Sequence, residues 1–408
     1  MNAPLRAREL QPPAPERPLK VLHLIDNLGM GGAEAWLIEL LRHWRDAGGT
    51  VRTDILATGG RPGVLDDEAT ALGAAIHYLP FGRRSLATFV AGFRRILREG
   101  GYDALHNHQD HASGWHYLAG AGLLPPVRVT HVHNPAYQIR NNYGVSLGRR
   151  MTGRVGKALV ARYATHIVGT SREAITAFGF DAPAFARTPK APLYCGIDPR
   201  AFVADDQVRR AVRAEFGWPE DAALVLFAGR FDVSPDLGHA QNHKNSGFAT
   251  QVAIDCARAD ERVRFVFAGP FSSATPILRA RVEAAGVGDR IVFAGVRRDI
   301  GRLMGAASVL FFPSRAEGLG MVAVEAQAAG APVLASSGVP RECVVVPDLV
   351  TFLDLDAEPA VWRETLLRLA HAPRADALDA NRRVAASPFA IDHSARMLAE
   401  LYRSGAKP

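Results

Sequence analysis

Hydrophobic positions in this chain come in short runs separated by amphipathic stretches. The run Lys20-Val-Leu-His-Leu-Ile-Asp26 predicts a buried strand, closed by the turn Gly29-Met-Gly-Gly32. Beyond it Ala33, Leu37, Leu40, Leu41 and Trp44 recur at the spacing of a helix with one buried face. Further apolar runs predict strands at 53–57, 75–78, 104–107, 127–132 and 166–170, with helical stretches between most of them. Alternation of this kind predicts a parallel sheet covered on both faces.

The rhythm breaks between Lys190 and Pro219, where Pro, Asp and Arg are frequent and periodicity is weak, as at a domain junction. A second series of strands is predicted at 224–229, 263–268, 291–294, 309–312 and 332–335. The expected fold class is therefore α/β, with two doubly wound domains at 19–195 and 223–374 joined by a linker at 196–222. Residues 1–18 carry five prolines and no apolar run, which predicts a flexible tail and not a signal peptide. The helical stretch at 375–408 could pack on either domain, crossing back to the first in one arrangement. Sheets of this kind bind ligands at the carboxyl ends of their strands, so the cleft between the domains is the expected site.

Composition narrows the class. A chain of 408 residues, 48% hydrophobic and 22% charged, suits two or three globular domains and excludes disorder, collagen and coiled coil as descriptions of the whole. Cys195, Cys256 and Cys343 are scattered, which argues against a disulfide framework or a zinc module and predicts a reduced, cytoplasmic protein. No run approaches the roughly 18 apolar residues of a membrane span, so membrane contact is expected only at a surface. The net charge of +7 is uneven: 23 basic against 15 acidic residues up to Cys195, and 25 against 26 after it. The first half should meet an anionic partner, either a membrane surface or a phosphate-bearing substrate.

Five features carry candidate chemistry. The turn Gly29-Met-Gly31-Gly32-Ala33-Glu34 opens a helix straight after a strand, a natural anion site, although such turns also occur without a ligand. Glu34 stands where a dinucleotide fingerprint needs glycine, which disfavours an NAD enzyme. Pro313-Ser-Arg-Ala-Glu317-Gly318-Leu319-Gly320-Met321-Val322-Ala-Val-Glu325 sets two carboxylates around another helix start, with amides from Gly318 to Val322 aimed at an anion. Glu325 sits among Val322, Val324 and Ala326, where an unpaired carboxylate is costly. Arg230 after Phe227-Ala-Gly229, together with Lys244, could clamp a diphosphate without metal, or could be two ordinary surface cations.

Six of the 14 histidines fall between His106 and His133. The pairs His106/His108 and His131/His133 each share a strand face, but only Asp110 would complete a metal set, so a crevice wall touching substrate is the favoured reading and no metal site is assigned. From His111 to Arg172 there is no acidic residue, and Arg128, Arg140, Arg149, Arg150, Arg154, Lys157, Arg162 and Arg172 accumulate. This is a solvated helix face, or a surface for anionic lipid or a phosphorylated acceptor; no nucleic-acid module is recognisable.

Together these motifs resemble the retaining glycosyltransferases of family 4, which have the GT-B fold of two Rossmann-like domains facing across a cleft. The resemblance covers nearly the whole chain after the tail. It rests on Gly31-Gly32-Ala33-Glu34, Thr130-His-Val-His133, Gly196-Ile-Asp198, Gly229-Arg230 with Lys244-Asn245, Phe293-Ala-Gly295 and the pair Glu317/Glu325. Residues 127–134 and Gly338-Val-Pro-Arg-Glu342 look most like the branch that builds exopolysaccharide or capsule.

The resemblance implies a retaining, metal-independent hexosyltransferase acting from a nucleotide-diphosphate-sugar donor on a polysaccharide or lipid-linked acceptor. Arg230 and Lys244 would hold the diphosphate, Glu317 the donor sugar and Glu325 the ribose. Gly31 and Gly32 would admit the donor phosphate, His133 (or His131) would be the active-site histidine, and Val296 and Arg297 would border the nucleobase. The 231–243 insertion departs from the family's shorter spacing and leaves the placing of Lys244 open. Alternatives are a glycosyltransferase with a soluble small-molecule acceptor, or a non-catalytic sugar-nucleotide-binding scaffold of polysaccharide assembly.

Overall fold

The computed structural model describes residues 17–134, 146–202, 205–236, 239 and 241–405. Most of the Pro-rich tail, Arg140 of the basic run and positions 237, 238 and 240 of the insertion lie outside the described residues.

The first sheet contains β1 (Leu19–Ile25), β2 (Val51–Ala57), β3 (Ala75–Tyr78), β4 (Ala104–Asn107), β5 (Val127–Val132), β6 (His166–Gly169) and β7 (Lys190–Pro192), in the order β3-β2-β1-β4-β5-β6-β7. The second contains β8 (Ala223–Ala228), β9 (Val263–Ala268), β10 (Ile291–Gly295), β11 (Val309–Phe312), β12 (Val333–Ser336) and β13 (Val350–Leu353), in the order β10-β9-β8-β11-β12-β13. The strand pairs β1–β4 and β8–β11 are parallel, like their neighbours, and separate strands that run outward in opposite directions from each sheet's centre. Such switch points leave a crevice where successive loops part to opposite faces. The fold is therefore the expected pair of parallel α/β domains.

The central strands follow from their apolar runs. All six residues of β8 are buried, and β1 exposes little beyond Lys20. The two strands that periodicity did not reveal, β7 and β13, are partly buried edge strands of only three and four residues. The junction also holds the helix Asp206–Glu215, capped by Asp205 through the Val208 N–H at 2.6 Å. Its ten residues bury only Val212 and the Arg213 side chain, which explains why hydrophobic spacing did not mark it.

The chain crosses between the domains twice. The helix Ala377–Ala385 places Ala380 and Val384 in the second core, whereas Ile391–Arg403 returns to the first domain. There Ile391, Ala395, Leu398 and Tyr402 pack with Trp36, Leu40 and Trp44 of the helix Gly32–Asp46, and Trp36 Nε1 donates to Ser394 Oγ at 3.3 Å. Outgoing and returning strands of chain are bonded to each other: the Ile197 N–H to Phe389 O at 2.9 Å, and the Ile391 N–H to Ile197 O at 2.8 Å. Gly196 permits this approach, because a Cβ there would stand 2.6 Å from Ile391 Cα.

Leu398 is fully buried in a core whose buried members outside its own helix all precede 196. Leu398→Ala should cost about 2–5 kcal/mol of stability, read by urea denaturation with fluorescence of the first domain's tryptophans. Unchanged denaturation would refute the docking of this helix.

Candidate active site between the two sheets

Loops from the carboxyl ends of both sheets line one cleft of about 1010 Å³. Arg230 follows β8 and is exposed on its wall. Lys244 enters from the start of the helix Ser246–Ala259, and its Nζ donates to Glu317 Oε1 at 2.6 Å. The insertion explains this placement. Its buried Asp232 accepts the Lys244 N–H at 2.9 Å and the Ser246 N–H at 2.7 Å, while Ser246 Oγ accepts the Asp232 N–H at 3.1 Å. That reciprocal bonding satisfies the helix start and holds Asn245 at φ +59.

Glu317, Gly318, Leu319, Gly320, Met321 and Val322 follow β11 along the same wall. Gly320, at φ +91, caps the helix Met321–Ala328 without any side-chain hydrogen bond, so the helix start presents its amides and partial positive charge. Glu325 lies one turn further and also lines the cleft. Desolvation raises its carboxyl to about 7, against the opposing pull of Lys244. The arrangement offers two cations and a helix terminus to an anion, and two carboxylates to hydroxyl groups.

The first domain supplies the opposite wall. Gly31 and Gly32 both line the cleft, but differently. Glu34 curls back over Gly31, where a Cβ would lie 2.2 Å from Glu34 Oε2, whereas nothing approaches within 4 Å of a Cβ at Gly32. Half of the expected anion cradle is thus covered by a carboxylate, whose own protonation is favoured by desolvation.

His133 and His131 differ in depth. His133 lines the cleft, while His131 is fully buried behind it. His133 belongs to a packed group of five imidazoles with His23, His106, His108 and His131; neighbouring ring centroids stand 3.9 to 5.4 Å apart. Burial lowers His23 and His133 to about 3 and holds the other three well below the usual range, so all are neutral near pH 7. Asp110, at φ +47, accepts the His133 N–H at 3.0 Å and bonds Asn134. Cys195 lines the cleft as a neutral thiol, raised to about 12 by burial.

Not every expected residue converges. Val296 is half exposed and, with Arg297, falls outside the lining of the cleft. The Arg297 guanidinium instead bonds Asp299 at 2.7 Å and Glu215 at 2.6 Å, a surface network formed because carboxylates flank it on two elements. Asp232 and His23 were not singled out from sequence, and Asp110 was named there only beside the histidine pairs. The signals were there, namely a histidine inside an apolar strand and an aspartate two residues after Arg230.

Comparisons with known proteins agree with this geometry. Residues 223–369 match the family model described as Glycosyl transferases group 1, and residues 30–201 match Glycosyltransferase Family 4. A D-inositol 3-phosphate glycosyltransferase of Streptomyces scabiei is 30% identical, covering 93% of this chain and 88% of its own. The chain belongs to glycosyltransferase family 4. A Bacillus subtilis glycosyltransferase named EpsF is 29% identical over 87% of this chain and 88% of its own. Among solved structures, Anabaena Alr3699/HepE in complex with UDP superposes with a TM-score of 0.73 at 20% identity, covering 95% of this chain and 100% of that one, a likeness of GT-B fold.

Within this family 4 cleft the domains touch at Gly318. A Cβ there would stand 2.3 Å from the His133 carbonyl oxygen, a backbone contact that only domain separation relieves. Gly318→Ala should lower glycosyl transfer at least about tenfold with little change in melting temperature, because neither core is touched. Normal transfer by the variant would show that the contact does not matter to the working state.

Proposed function

We propose that this glycosyltransferase is a retaining enzyme that moves a sugar from a nucleotide-diphosphate donor to a polysaccharide or lipid-linked saccharide. Its place would be the cytoplasm, at the inner face of the membrane. The observation that carries this reading is the convergence of Arg230, the Lys244–Glu317 pair, Glu325 and the uncapped helix start at Gly320 on one wall. A diphosphate leaves easily once its developing charge is met, and here Arg230, Lys244 and the helix amides would meet it without a metal. Glu325 would accept the ribose hydroxyls and Glu317 a hydroxyl of the sugar. His133 would face the sugar from the opposite wall, next to Gly32, where the acceptor enters. Retention is proposed from the family resemblance, with front-face attack by the acceptor hydroxyl as the leaving diphosphate departs.

The names of relatives support a choice of substrates to test. The Anabaena protein was crystallised with UDP and with UDP-glucose, which makes these the first donors to try. Arg230→Ala should lower transfer about 10²-fold or more, and Glu325→Ala at least about tenfold through lost donor affinity. Near-normal transfer and donor affinity in both variants would contradict the mechanism.

For the acceptor side, no helix among the described residues is long and apolar enough to cross a membrane. The helix Leu147–Tyr163 instead exposes Leu147, Met151 and Val155, spaced by four, beside exposed Arg149, Arg150, Arg154 and Arg162. Arg128 is not part of that surface, since its guanidinium bonds the Tyr163 carbonyl at 2.6 Å and those of Pro125 and Pro126. We expect this helix to rest on anionic lipid. The protein should co-sediment with phosphatidylglycerol vesicles, and Leu147→Asp with Met151→Asp should weaken that several-fold. Absence of co-sedimentation would favour a second reading, a soluble phosphorylated acceptor, to which the D-inositol 3-phosphate glycosyltransferase names also point.

A further inference from the structure

Of the five-histidine group at the cleft, the proposed donor apparatus, most of which lies on the second domain, uses only His133. The group's hydrogen bonds sort the ring nitrogens. His23 Nδ1 meets His108 Nε2 at 2.9 Å, and His108 Nδ1 meets His133 Nε2 at 3.0 Å. His106 spends both nitrogens, Nδ1 on Tyr402 Oη at 2.5 Å and Nε2 on His131 Nδ1 at 3.1 Å. His131 Nε2 is left buried, with no partner among the described residues. An unpartnered buried polar nitrogen is costly and points to a missing ligand.

Two sets of three histidines bring ligand atoms within 4.8 Å of one another: His23 with His106 and His108, and His108 with His131 and His133. In the first set His106 has no nitrogen to spare, although His108, shared by both sets, lines the cleft. In the second, His131 offers its unpartnered Nε2, His108 its Nδ1 and His133 its Nε2. His133 also opens the set to the cleft.

We propose that His108, His131 and His133 bind a divalent transition-metal cation of the zinc class. Three imidazoles with one open position are a set such cations accept, and imidazole nitrogen disfavours magnesium or calcium. Two of the ligands already have their far nitrogen held by an imidazole outside the set, His108 by His23 and His131 by His106, the outer bonding that orients metal-bound histidines. Neutral rings suffice: His108 keeps its proton on Nε2 toward His23, and His131 on Nδ1 toward His106. The cation would take the place of the proton shared between His108 and His133. It would lock the ends of β4 and β5 together beneath the cleft and set which nitrogen of His133, its Nδ1, is left for the sugar. The diphosphate would still be met by Arg230 and Lys244 on the other wall.

Zinc chloride titrated by calorimetry into tag-free, chelator-stripped full-length protein should bind in one equivalent and raise its melting temperature. His131→Gln and His108→Gln should each weaken binding at least about tenfold, whereas His371→Gln on the second domain should not. The cobalt-loaded wild type should show the intense visible bands of a low-coordinate site, a readout that stands even if a variant fails to fold. No stoichiometric zinc uptake, a cobalt spectrum like that of the aqueous ion, or undiminished binding by a folded His108→Gln/His131→Gln double variant would overturn the proposal.

Discussion

Lys244 and Glu317 are partly buried on the same wall of a cleft, and their 2.6 Å contact is what allows either charge to stay there. Removing one partner would leave the other unpaired beside Glu325, itself already driven toward protonation. Much of the second domain's architecture serves this contact. Asp232 ties down the backbone on both sides of Lys244, and β11 delivers Glu317 at the switch point beside β8. Gly320 then turns the chain through a left-handed conformation so that a helix starts toward the same space. The proposed diphosphate would find a lysine already positioned and would share it with Glu317 instead of recruiting it from solvent.

The first domain is shaped by different needs. Its surplus of positive charge is spread over the helix Leu147–Tyr163, not gathered at the proposed diphosphate site. Its cleft wall includes Gly32, the neutral imidazole of His133 and the carboxylates of Asp26 and Glu34, which suits sugar hydroxyls better than phosphate. The two walls are held in one body by the C-terminal helix, whose Tyr402 reaches His106 beneath the cleft. Tyr402 thus contributes to the histidine group that packs around His133.

Strands buried on both faces were legible from sequence because continuous apolar runs leave little choice, as in β1, β8 and β11. The strand-to-helix turn between Glu317 and Glu325 was legible because glycines follow the apolar run of β11. Strands β7 and β13 were not, being short: β7 is Lys-Ala-Pro within the stretch read as a junction, and β13 is four residues between a 3-10 turn and a loop. Nor was the fate of Arg297, because which carboxylates surround a guanidinium is decided by tertiary neighbours such as Glu215, remote in sequence. The histidines illustrate the same limit. His106, His108, His131 and His133 announced themselves by spacing, but His23 joins them only through the pairing of β1 with β4, where it lies opposite His106.

The most direct test of the account is calorimetric titration of UDP into the protein at pH 6 and pH 8, with Glu325→Gln alongside. Glu325, raised to about 7 in the empty cleft, should be largely ionised at pH 8 and largely protonated at pH 6. As a carboxylate accepting ribose hydroxyls it should make binding several-fold tighter at the higher pH. The account predicts that this difference shrinks in Glu325→Gln. No binding of UDP or of any other nucleoside diphosphate, or a pH dependence identical in the variant, would contradict it.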